Sequence, residues 1–153
     1  MAQISVLVAD DSAFMRKVVS DLIAADPELV VVGTARNGSD CIQKARSIRP
    51  DVITLDVEMP VMGGLEALPT LTTELGIPVV MLSSLTQAGA DVTIRALSLG
   101  AVDFVPKPSG AISLDIAAVR DELVRRIKAA AAMWAGLVRT LARDLRTPAL
   151  APS

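Results

Sequence analysis

"ITLDVEMPVMGG", residues 53–64, carries an apolar run straight into a carboxylate, Asp56, and then into a stiffened turn. A second acid (Glu58), a proline (Pro60) and adjacent glycines (Gly63, Gly64) follow. Taken alone, such a stretch reads as a surface loop with an incidental aspartate. Its meaning depends on what stands at the ends of the other apolar runs.

There are five such runs, at 4–9, 29–35, 52–55, 79–82 and 102–105. They are rich in Val, Ile and Leu and do not alternate with polar residues, as expected of strands covered on both faces. The segments between them have helical spacing. Phe14, Val18 and Leu22 share a face, as do Ile42, Ala45 and Ile48, and then Val92, Ala96 and Leu99. The longest stripe is Ile116, Val119, Leu123 and Ile127. Strand and helix therefore alternate five times, and the fold class is α/β, a doubly wound five-stranded parallel sheet with five helices on two faces. Residues 1–128 make one domain. Residues 129–153 read as a helical extension followed by a Pro- and Ala-rich linker, "RTPALAPS".

Composition narrows the chemistry. The chain has 153 residues, of which 52% are hydrophobic, so it can bury a core. It has no histidine, which excludes Ser-His-Asp and Cys-His hydrolases and histidine metal sites. Its one cysteine, Cys41, fits a reducing, cytoplasmic setting and reads as a small side chain on a helix. The N-terminus, "MAQISVLVADD", lacks a basic leader, and the longest apolar stretch, 129–138, is too short to span a bilayer. Residues 1–119 carry a net charge of −6 and residues 120–153 a net of +4. With only three aromatics (Phe14, Phe104, Trp134), the basic end reads as a solvated helix face, so neither nucleic acid nor membrane is expected as a partner.

Open parallel sheets bind ligands outside the carboxyl ends of their strands. The first strand ends in Asp10 and Asp11, the third in Asp56, the fourth in Ser83 and Ser84, and the fifth leads to Lys107. Scattered surface charge would not choose the same end of four strands. Clustered carboxylates repel one another unless a cation sits among them, and oxygen ligands favour a hard ion such as Mg²⁺. Asp56, alone on the central strand, is the candidate nucleophile toward phosphorus, and Asp10 and Asp11 look like a metal seat. The Lys107 ammonium and the Ser83 hydroxyl would hold phosphoryl oxygens, and Pro60 would fix the turn after Asp56. Plainer roles exist for several of these: a helix cap for Ser83 or Ser84, a solvated side chain for Lys107, core for Phe104, packing for Met59 and Met62. Trp134 reads as a helix–helix or inter-domain contact.

With "VLVADDSAFMR", "DVITLDVEMPVMGG", "PVVMLSS" and "GAVDFVPKP" in this order, the chain resembles the receiver domain of two-component response regulators over residues 4 to about 128. The resemblance implies the flavodoxin-like strand order 2-1-3-4-5 and phosphorylation of Asp56 by a histidine kinase. It implies Mg²⁺ on Asp11 and Asp56, with Asp10 assisting through water and Glu58 through its backbone carbonyl. Ser83 and Lys107 would contact the phosphoryl group, and Phe104 would turn inward as Ser83 moves. A cis peptide at Lys107–Pro108 is usual in the family. "DDSAFMRK" and residues 82–116 look more narrowly like the receiver of a chemotaxis protein-glutamate methylesterase. In that family an esterase domain follows and acts on chemoreceptors, so the chain reads as a fragment whose own chemistry is its phosphorylation and dephosphorylation.

Gly63 stands where the family commonly has Asp, and Phe104 where many receivers have Tyr. A stand-alone receiver docking on a partner is the alternative within the class. A flavin binder would need a Gly- and hydroxyl-rich loop in place of Asp10 and Asp11, which would repel an anion. An aspartate phosphohydrolase would place a second Asp where Glu58 stands, and its nucleophile on the first strand.

Overall fold

The computed structural model describes residues 3–83, 89–107 and 116–146. Five strands, β1 (Ile4–Ala9), β2 (Leu29–Ala35), β3 (Val52–Asp56), β4 (Val79–Ser83) and β5 (Asp103–Pro106), form one sheet. The order is β2-β1-β3-β4-β5 and every pairing is parallel. The helices are α1 (Ala13–Ala24), α2 (Gly38–Ile48), α3 (Gly64–Pro69), α4 (Gly89–Ser98) and α5 (Ile116–Arg146), with a π-helical turn, Thr70–Glu74, after α3.

Successive strand residues point to opposite faces, and β1 shows both faces covered. Val6 and Val8 join the layer built with Val19 and Ile23 of α1 and Leu123 and Ile127 of α5. Leu7 and Ala9 join the layer of Cys41 and Ala45 of α2, Leu68 of α3 and Ala96 of α4. The doubly wound class and its strand order therefore stand. Strands β3 and β4 each run one residue further than their apolar runs, and β5 is shifted by one.

The helical stripes hold in spacing but not always in phase. On α1 the buried residues are Val19 and Ile23, with Met15 and Leu22 packed against them, whereas Phe14 is 75% exposed. On α2 the buried pair is Cys41 and Ala45, and Ile48 is exposed. Burial pushes the Cys41 thiol up to about 12, so this cysteine is inert core.

Caps set where the helices begin. The Ser12 Oγ accepts from the Met15 N–H at 3.2 Å, and the Asn37 Oδ1 accepts from the Asp40 N–H at 2.8 Å. Helix α5 continues unbroken across the expected division at residue 128. Its Trp134 indole donates to the Gly76 carbonyl at 2.7 Å, so Trp134 contacts a loop of its own domain. No helix among the described residues is long and apolar enough to cross a membrane.

Candidate functional site

The acids meet because the adjacent parallel strands β1 and β3 end together. β1 lies between β2 and β3, and β3 pairs with β4, so Asp10, Asp11 and Asp56 rise from one edge. One carboxylate oxygen from each lies within 4.8 Å of the others. Asp10 and Asp56 are buried and Asp11 is exposed. Lys107, in the loop after β5, places its Nζ 3.1 Å from Asp10 Oδ2 and 3.2 Å from Asp56 Oδ2. Its direction is set by the backbone, since the Lys107 N–H donates to the Ser83 carbonyl at 2.8 Å. The ammonium is therefore clamped between the first and third strands from a seat beside the fourth.

Three carboxylates face one ammonium. Burial first, and the neighbouring Asp10 charge second, push the Asp56 carboxyl up to about 6, while Lys107 and the Glu58 N–H work against the rise. Burial acts to lower the Lys107 ammonium, but the Asp56 and Asp10 carboxylates outweigh it and its pKa is raised. Asp10 Oδ2 is fully buried and meets the Lys107 ammonium as its one partner among the described residues. An all-oxygen donor set carrying more negative charge than its one ammonium offsets fits a hard divalent cation.

The remaining predicted residues are placed as follows. Glu58 is exposed, and its N–H reaches Asp56 Oδ1 at 3.4 Å. Ser83 is half-buried at the end of β4. Phe104 is half-buried on β5 and packs against the core layer under α2, α3 and α4. Ser84 and the Lys107–Pro108 peptide lie outside the described residues.

The turn after Asp56 is narrower than its sequence suggests. A Cβ on Gly64 would come within 2.1 Å of the Asp56 carbonyl, so only glycine lets α3 start under the strand end. The Gly64 N–H donates to the Val57 carbonyl at 2.9 Å, closing the turn. Across the loop, the Gly38 N–H donates to the Met62 carbonyl at 2.8 Å, and a Cβ there would meet that oxygen at 2.7 Å. Val61, between Pro60 and Met62, is held at φ +69, an unfavourable region for a β-branched residue. Gly63 is different. It is the N-cap of α3 with φ −75, and a Cβ there would meet Val57 O at 3.3 Å, so an aspartate is conformationally acceptable. Here the Glu66 carboxylate caps the Gly63 N–H at 3.2 Å and no side chain caps from position 63.

Sequence reading missed Arg16, whose Nη1 donates to the Asp10 carbonyl at 2.8 Å and supports the first acid from behind. Its position one turn inside α1, following the Ser12 cap, was the available signal.

An α/β sheet carrying a carboxylate–ammonium cluster at the topological switch between β1 and β3 defines a phosphoryl- or metal-handling class of protein. Residues 6–119 match the response regulator receiver domain family. The response regulator domain of Thermotoga maritima CheB is 49% identical with a TM-score of 0.76, covering 84% of this chain and 96% of that one. The protein-glutamate methylesterase/protein-glutamine glutaminase of Pyrococcus horikoshii is 55% identical over 129 residues, which is 84% of this chain and 35% of that protein. A chain from the crystal structure of the P1 domain of CheA3 in complex with CheY6 from R. sphaeroides is 34% identical, with a TM-score of 0.71, covering 86% of this chain and 99% of that one. The chain belongs to the response regulator receiver domain family, and within it to the CheB-type receivers of chemotaxis. It spans little more than a third of the length of the methylesterase relatives.

Proposed function

We propose that the chain is a phosphorylation switch in which Asp56 is the phosphoacceptor and whose output in the longer protein is a chemoreceptor methylesterase. The observation that carries this reading is the clamp of Lys107 on both Asp10 and Asp56 at the edge where β1 and β3 end.

Asp56 is the residue to be modified because it stands at the end of the central strand with its neighbours arranged around it. Its carboxylate oxygen attacks phosphorus, an O–P bond forms as the P–N bond of a donor phosphohistidine breaks, and the electron pair stays on the imidazole nitrogen, which takes a proton from solvent. Asp10, Asp11 and Asp56, with the Glu58 carbonyl, would hold Mg²⁺. That ion supplies neutralisation of charge on the phosphoryl oxygens. Lys107 would leave its bond with Asp56 for a phosphoryl oxygen, a short movement because it keeps Asp10 as a partner. Ser83 would bind a third oxygen, and Phe104 would follow it inward, biasing the α4, β5 and α5 face between two populations. Helix α5, which forms one side of that face, runs on to Arg146, so a shift of the face would be carried toward whatever follows.

The proposed setting is cytoplasmic, with a chemotaxis-type histidine kinase as donor, the esterase domain following residues 129–153, and chemoreceptors reached only through that esterase. The test is intact mass after incubation with Mg²⁺ and acetyl phosphate, alongside Asp56→Asn. A gain of about 80 Da that requires Mg²⁺ and is absent from the variant is the expected result. A folded protein that gains no mass would sink the proposal.

A further inference from the structure

Beside the acid cluster lies an open cleft of about 200 Å³ lined by Arg16, Thr34, Ala35, Arg36, Asp40 and Lys44. Its charge is opposite to that of the neighbouring rim. Lys44 is matched by Asp40 at 3.3 Å, but neither guanidinium has a carboxylate within salt-bridge distance among the described residues. Arg16 spends one N–H on the Asp10 carbonyl, and Arg36 is exposed at the junction of β2 and α2. The cleft also abuts the site directly, because the Asp10 N–H donates to the Ala35 carbonyl at 2.9 Å and the Asp10 carbonyl accepts from Arg16.

This juxtaposition matters for any protein that brings a phosphoryl group to Asp56. Exposed Asp11 and Glu58 flank the approach with negative charge, which opposes an anionic donor. A planar, always-charged guanidinium pair on the other side can take a carboxylate in bidentate fashion and fix orientation. We propose that the Arg16–Arg36 cleft receives an acidic side chain of the phosphohistidine-bearing protein, so that it selects and orients the protein donor. A small-molecule donor does not use it. The inference rests on the phosphoacceptor reading above. Arg36 is a positioning residue in this scheme, with no contact to the acid cluster among the described residues, whereas Arg16 also supports Asp10.

The decisive experiment compares two donors on the wild type, Arg36→Ala and Arg36→Glu. One donor is acetyl phosphate with Mg²⁺, and the other is the histidine-phosphorylated phosphotransfer domain of a chemotaxis kinase. For Arg36→Glu, kcat/KM for the protein donor should fall about tenfold or more at low salt, with a smaller loss for Arg36→Ala. The loss should shrink as ionic strength rises, because rim charges are screened. Labelling by acetyl phosphate should be unchanged in both variants. Equal rates with the protein donor in all three proteins would overturn the proposal, as would equal losses with both donors, which would mean that Arg36 acts on the acid cluster itself. A wild type labelled by acetyl phosphate but refused by the protein donor would overturn it too. Failure of the wild type with acetyl phosphate is a different result, because it removes the phosphoacceptor reading.

Discussion

The two ends of one sheet are built on opposite electrostatic rules. At the carboxyl edge, Asp10 and Asp56 are buried against each other with one shared ammonium, and the Asp56 carboxyl is pushed up to about 6. At the amino edge Asp51, Asp26 and Glu28 are each met by a donor or a cation. Asp51 Oδ2 accepts from the Ser5 N–H at 2.9 Å, and Lys128 bridges Asp26 and Glu28 at 2.9 Å each. There the Lys128 bond holds the Asp26 carboxyl below its ordinary value. Repulsion between acids is therefore collected at the edge whose oxygen donors fit a divalent cation, and it is relieved by local partners at the other.

The contrast can be broken most forcefully at its centre. Lys107→Met leaves two buried carboxylates without a cation and should cost about 3 kcal/mol at pH 7.5 in urea unfolding. The loss should shrink as pH falls through 6 and Asp56 protonates. Next in size, Asp56→Asn should stabilise the metal-free protein by about 2 kcal/mol above pH 7. The sign follows from linkage. An acid whose folded pKa of about 6 lies above 3.8 costs nothing below pH 4 and costs progressively more up to pH 6. The two proteins should therefore converge in acid. Mg²⁺ should raise the Tm of the wild type more than that of the variant, because the ion replaces repulsion with ligation.

The amino edge should answer differently. Trp134→Phe keeps the ring but removes the donor to the Gly76 carbonyl, for a loss of about 1 kcal/mol that is insensitive to Mg²⁺. As the only tryptophan, Trp134 also makes fluorescence a direct report on that anchor. The smallest effect is expected at the α3 start, where Gly63→Asp restores a side-chain N-cap. It should stabilise by a few tenths of a kcal/mol, about what separates Gly from Asp at this position, without abolishing acetyl phosphate labelling.

Much of this was legible in residue order. Asp10, Asp11, Asp56, Ser83 and Lys107 could be assigned to one edge because the apolar run before each is short enough to be a strand. Parallel strands present the same end together. What spacing could not supply was phase. The stripe Phe14, Val18 and Leu22 has the right period, yet the buried residues are Val19 and Ile23, one position on. The face a helix buries depends on how it lies across the twisted sheet. Arg16, and the particular role of Gly64, were missed for a related reason, since both depend on backbone atoms of residues brought near by the fold.

The sequence by itself determined the alternation of strand and helix, the edge to which the acids belong and the absence of histidine chemistry, because these follow from local pattern and composition. Only the tertiary structure decided that Lys107 binds Asp10 as well as Asp56, that Val61 is held at positive φ, and that Trp134 closes on Gly76. Each of these is settled by packing between segments far apart in the chain, where a shift of a single residue in register would exchange one partner for another.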